Sequence, residues 1–187
     1  IEGPDRRGID CALLYNPQLF KVWNTKLVPY VQELEKDSAF LTRGFLTVSG
    51  EMAGEHVAFV VCHWPSRAAK PFYRESGGRQ VRALKDSLLR EDPKVKVFVM
   101  GDMNDDPNNK SMTEQLGCKS KTKDVKNPGD LYNPWYDTLY KLGQGTLLYD
   151  GKWNLFDQIV FTGNLLGSDR STLKFYRHEI FIRDYLF

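Results

Sequence analysis

The chain has 187 residues, one domain's worth, and 41% hydrophobic with 13% aromatic residues is enough for a packed core, which excludes a disordered chain. Lys and Arg number 26 against 24 Asp and Glu, and the net charge of +2 provides no strong global field for nucleic acid. Cys11, Cys62 and Cys118 lack metal-type spacing, their odd number argues against a disulfide framework, and no run approaches the ~18 apolar residues of a membrane span.

Residues 9–15 alternate Ile9, Cys11, Leu13 and Tyr15 against Asp10, Ala12 and Leu14, which predicts a strand ended by Asn16-Pro17. Pro29 breaks any long helix in residues 18–40, which read as strand plus loop. Residues 41–49 and 57–62 predict a hairpin across a turn at 50–55, with His56 in the turn. Its second strand runs into His63-Trp64-Pro65-Ser66-Arg67. Pro65 holds Trp64 extended and blocks helix continuation. An imidazole thus emerges where a buried strand stops, beside a hydroxyl and a forked cation, both good phosphate partners. A lone His is more often structural, and only its place at the strand end argues for function.

Residues 78–91 predict an amphipathic helix with Val81, Leu84 and Leu88 on one face; Arg79 and Arg82 are solvent-facing by default. Residues 95–100 predict a buried strand that ends in Gly101-Asp102-Met103-Asn104. Glycine permits a sharp turn there. A carboxylate and an amide then sit two residues apart at a sheet rim. Asp accepts a proton, holds a water or faces a metal, and Asn donates to a phosphate while accepting from a water. The competing reading is an Asp that caps the next helix. A calcium loop is excluded: Asp102, Asn104 and Asp106 fit its first, third and fifth positions, but Pro107 stands where glycine is needed and Thr113 where a bidentate Glu is needed.

Ser111 begins a short helix over 111–116, and residues 117–135 read as a long loop. Lys119, Lys121, Lys123 and Lys126 crowd that loop, more often a solvated run than a phosphate-facing one. Leu131, Tyr132, Trp135, Tyr136, Leu139 and Tyr140 predict an aromatic helix whose rings belong to the core. Asp150-Gly151 predicts a hairpin turn between strands 145–149 and 153–161. The second of these holds Asp157 inside an apolar run, where an idle carboxylate is costly; the alternative is a surface-facing Asp on an alternating strand. Residues 172–182, with Leu173, Phe175, Phe181 and Ile182, predict a last strand.

In this order the segments resemble the endonuclease/exonuclease/phosphatase superfamily, the DNase I-like phosphoesterases, in its bacterial form. The resemblance is carried by His63 in VVCHWPSR, Asp102 and Asn104 in GDMN, Asp157 in LFDQIVF, the opening DRRGIDCALLY, and the closing hairpin from Gly145 through Gln158. It implies an α+β fold, the four-layered α-β-β-α sandwich, with residues 1–187 as one domain's central and C-terminal portion. It implies metal-dependent hydrolysis of phosphodiester or phosphomonoester bonds by a nuclease or general phosphodiesterase. The alternatives are a lipid or inositol-phosphate hydrolase of the same fold, and a catalytically incomplete piece that only binds. By resemblance, Asp102 orients and activates water, His63 stabilises the phosphorane, Asn104 fixes the water or a phosphate oxygen, and Asp157 orients a terminal His or approaches the metal. Arg7, Ser66 and Arg67 are the candidate phosphate contacts. Asp102 and Asp157 are the candidate ligands of Mg²⁺, with Mn²⁺ as the alternative.

Family members also carry an Asn and a metal-binding Glu before the RGID segment and end on an Asp-His pair; neither motif is in this sequence. Gln32-Glu33 follows the RGID segment, in the wrong order. The expectation is a piece of a larger enzyme with an exposed sheet face or edge, unstable alone, self-associating, or complemented by the missing segments. The resemblance implies a phosphoester substrate, nucleic acid or a small phosphodiester. No signal peptide is visible, which leaves cytoplasm, periplasm and secretion all open.

Overall fold

Alternating and continuous apolar runs assemble into a six-stranded mixed sheet in the computed structural model, which describes residues 3–5, 7–34 and 40–186. Its strands are β1 (Phe20–Val28), β2 (Phe45–Met52), β3 (Glu55–His63), β4 (Lys96–Asp102), β5 (Leu131–Tyr132) and, after a separate hairpin of β6 (Leu147–Tyr149) and β7 (Lys152–Asn154), β8 (Asp157–Thr162). The spatial order is β1-β2-β3-β4-β8-β5. β3 and β4 run parallel and the other strand pairs antiparallel. A parallel pair needs a crossover, and helix α1 (Pro71–Glu91) supplies it. A second, short helix, α2 (Trp135–Tyr140), precedes the β6–β7 hairpin. The fold is α+β, as expected. Among the described residues no helix is long and apolar enough to cross a membrane.

Helix α1 covers one sheet face. Val81 packs there with Ala58, Val60, Val97, Val99 and Val160, all fully buried. Leu84 and Leu88 pack at the edge of that cluster. On the other face Phe20, Leu46, Val48, Val57 and Val61 form a second core with Cys11, Leu13, Phe98, Met100 and Leu173 against it.

Several predicted elements differ. Residues 9–15 and 172–182 form no strand. Cys11, Leu13 and Leu173 pack on the second core, Phe181 and Ile182 stay exposed, and neither backbone finds a ladder among the described residues. The helix starts at Pro71 rather than at residue 78; proline suits the first helical turn, where its missing N–H costs nothing. Residues 111–115 make a π-helical turn, closed by Leu116 N donating to Ser111 O at 2.9 Å. His56 lies on β3, its Nδ1 at 2.8 Å from Asp92 Oδ2, while Ala53 and Gly54 take the turn with φ of 52° and 76°. The run 153–161 divides into β7 and β8 because Leu155 and Phe156 drop into the core between them. Asp150-Gly151 does turn the β6–β7 hairpin, with φ of 48° and 68°.

Candidate active site

β3, β4 and β8 lie side by side, and their register sets His63 opposite Asp102 and Asp102 opposite Asp157. Paired residues in a sheet share a face. The three side chains therefore form one row at the sheet's end, on the face away from α1. His63 Nε2 lies 3.5 Å from Asp102 Oδ2, long for a hydrogen bond. Partial burial, then the positive charge of Arg43, pulls the His63 pKa below its ordinary value, against an opposing pull from Asp102. The imidazole is accordingly neutral at pH 7.

The turn after β4 is held rigidly. Gly101 has φ of 130°, and a Cβ there would stand 1.9 Å from Cys62 O, so only glycine fits. Asn104 has φ of 50°, a left-handed backbone for a residue with a side chain. Two bonds hold it: its backbone N–H donates to Asp102 Oδ1 at 2.8 Å, and its Nδ2 donates to Trp64 O at 2.8 Å. Asp102 thus caps a turn rather than a helix, and Oδ2 stays turned toward His63. The ladders continue past the strand ends through Trp64 N to Asp102 O and Met103 N to Phe156 O. The Trp64 ring is buried, 1% exposed, against Gly77 of α1, which assigns it to packing.

Arginines brace this frame from behind. Buried Arg43 donates from Nη2 to Trp64 O and from Nη1 to Asp5 Oδ2. Arg7 binds the same Asp5 through Nε and Nη2, and holds its carboxyl well below the usual carboxylate range. Arg74 of α1 pairs with Asp105 at 2.9 Å and donates to the carbonyls of Ser66 and Ala69, which ties the loop after β3 to the loop after β4. Arg67 bonds to Asn104 O, Asp106 and Asn154, and lies 4.2 Å over the Phe156 ring.

The structure therefore brings His63, Asp102, Asn104 and Asp157 together. It places Arg7 and Ser66 in a separate neighbouring groove and engages Arg67 with protein partners. Sequence reasoning missed Arg43, Arg74 and Asp105. A charged Arg43 abutting the apolar strand 45–48 was the available signal; Arg74 carried none, because it precedes the helix predicted over 78–91 and stands in no apolar run. Arg79, read that way, pairs with Glu33, and the four loop lysines are exposed.

Among the described residues no group of three or more His, Cys, Asp or Glu gathers as a metal site. Asp102 and Asp157 still offer oxygen donors on adjacent strands. Mg²⁺ keeps much of its water and commonly takes one or two carboxylates plus substrate phosphate, so this donor chemistry fits it.

The family model described as "Endonuclease/Exonuclease/phosphatase family" matches residues 1–187. The human Nocturnin catalytic domain with bound sulfate superposes with a TM-score of 0.53 at 17% identity, over 78% of this chain and 49% of that one. Truncated Caenorhabditis elegans TDP2 gives 0.53 at 16%, over 79% and 55%. ANGEL2, a 2',3'-cyclic phosphatase, gives 0.57 at 9%, over 78% and 56%. No curated protein sequence matches significantly. The chain spans about half the length of these solved structures, and at such identities the likeness shows the fold, which is DNase I-like. With the family match running from first residue to last, the chain belongs to the endonuclease/exonuclease/phosphatase family.

Proposed function

We propose that this chain carries the reaction centre of a divalent-cation-dependent phosphoesterase, acting on phosphodiesters as a nuclease or general phosphodiesterase. The observation that supports it best is the row of His63, Asp102 and Asp157 across three adjacent strands, with Asn104 locked beside it in a left-handed turn.

In this reading the Asp102 carboxylate orients a water and takes its proton in line with the phosphorus. Asn104 is already fixed by its own amide, so its side-chain oxygen is free to hold the water or face a phosphoryl oxygen. Neutral His63 donates N–H to the oxygen on which charge develops; a donor set in advance needs no reorganisation and is worth roughly 3–4 kcal/mol. Asp157, beside Asp102, supplies protein oxygen to the cation, Mg²⁺ or Mn²⁺. When bound, the cation neutralises charge on the phosphoryl oxygens. Arg67 holds the two loops in place.

Hydrolysis of bis(p-nitrophenyl) phosphate with Mg²⁺ or Mn²⁺, against EDTA, tests the reading. Turnover is expected only with metal, and Asp102→Ala lowers it on the order of 10²–10⁴-fold, the worth of a positioned base. Turnover indifferent to EDTA, absent with either metal, or within a few-fold of the parent in Asp102→Ala would overturn it.

A further inference from the structure

Beside the row lies a groove of about 490 Å³ that the chemistry above does not use. Arg43 lies under it, its side chain 5% exposed. Its two Nη atoms are bonded, but Nε has no partner among the described residues, and neither does the buried Oγ1 of adjoining Thr42. Buried donors without acceptors are uncommon and call for an explanation. At the rim, Arg7 is 64% exposed and uses Nε and Nη2 on Asp5, which leaves Nη1 without a bond among the described residues. The exposed Ser66 adds a hydroxyl. Among the described lining residues two guanidiniums face one carboxylate, so the groove is cationic.

The groove is joined to the reaction centre through one atom. Trp64 O accepts from both Arg43 Nη2 and Asn104 Nδ2, which puts those two nitrogens at most about 6 Å apart, two hydrogen bonds end to end. A single small molecule can span both places.

We propose that this groove binds a second phosphoryl group of the substrate, next to the one attacked at Asp102. The substrate class is then an organic phosphate with two phosphoryl groups a few atoms apart. Arg7 and Ser66 contact the second group rather than the scissile one, and Arg43 with Thr42 forms its floor. The inference rests on the row of His63, Asp102 and Asp157 being the phosphoester site.

Calorimetric titration with Mg²⁺ present separates the two ideas, because the cation the reaction centre needs is then in place and the probes carry monoesters rather than the phosphodiester attacked there. The probes are thymidine 3′,5′-bisphosphate, thymidine 5′-monophosphate and inorganic phosphate. The bisphosphate is expected to bind about tenfold more tightly than either other probe, the scale of one charge-assisted contact. Arg7→Met should erase that advantage and leave the monophosphate unchanged; because Arg7 also pairs with buried Asp5, Ser66→Ala, exposed and with no side-chain bond among the described residues, is the second variant and should reduce the advantage with an unshifted melt. Equal binding of bisphosphate and monophosphate overturns the proposal, as does an Arg7→Met loss shared by both. Inorganic phosphate binding as tightly as the bisphosphate also overturns it, since that marks a free-standing anion site. Failure of the phosphoesterase reading shows elsewhere, in hydrolysis that ignores Asp102.

Discussion

Asn104 and His63 show how single residues hold strain and charge at this site. The left-handed backbone of Asn104 is tolerable because its side chain and amide are both bonded. Asn104→Gly keeps the backbone and drops the side-chain bond; Asn104→Val drops the bond and forces a β-branched residue to positive φ. Urea melts should show the Val variant less stable than the Gly variant by about 1–2 kcal/mol. Equal midpoints would remove backbone strain from the account. His63 has its pKa lowered by burial first and Arg43 second. The folded protein then binds that proton less readily than the unfolded chain. Stability is full above the unfolded value of about 6.5 and is lost as pH falls through the folded value. Denaturation midpoints should drop from pH 7.5 to pH 5, and His63→Gln should flatten the slope in part. Part of the slope remains, because His178 is lowered by burial too. A slope identical in His63→Gln would refute this assignment.

At the scale of elements, helix α1 ties the two reactive loops together, and its paired glycines allow the close approach. A Cβ on Gly78 would stand 2.5 Å from Ser111 O, a backbone atom that cannot swing aside. A Cβ on Gly77 would stand 3.4 Å from the Trp64 ring, near ordinary contact. Gly77→Ala should therefore gain up to about 1 kcal/mol of helix propensity. Gly78→Ala should lose about 1–3 kcal/mol to overpacking. Thermal melts moving in opposite directions would bear this out, and both rising would refute it. The same glycines hide residues 71–77 of the helix in the sequence: low local propensity masks about two turns whose reason is tertiary. The strands at 57–62 and 95–100 were legible because β-branched apolar runs buried on both faces leave few alternatives. Residues 9–15 carry the right alternation, with Ile9, Cys11 and Leu13 half-buried and Asp10, Ala12 and Leu14 exposed, yet form no strand. Alternation reports which side chains face the protein, not whether the backbone has a partner.

For the whole molecule, the sheet face away from α1 is incompletely covered. Ile159, beside Asp157, is 41% exposed, and Phe181, which shares a groove with it, is 57% exposed. Apolar surface of this kind seeks cover. We expect the isolated chain to self-associate, with a light-scattering mass that rises over tens of micromolar (roughly the range where such patches meet). A constant monomer mass with a cooperative melt would count against it. Sequence alone determined the candidate residues and their order, because HWPSR, GDMN and the run around Asp157 each mark a polar group at or inside an apolar run; Asp157 itself is the surface-facing residue of an alternating strand, so a cost of burial does not single it out. Tertiary structure alone decided that His63, Asp102 and Asp157 share one row, since register depends on which strands pair. It also decided which arginines brace the loops and which face solvent, because a guanidinium's role depends on carboxylates and carbonyls brought near it from distant parts of the chain.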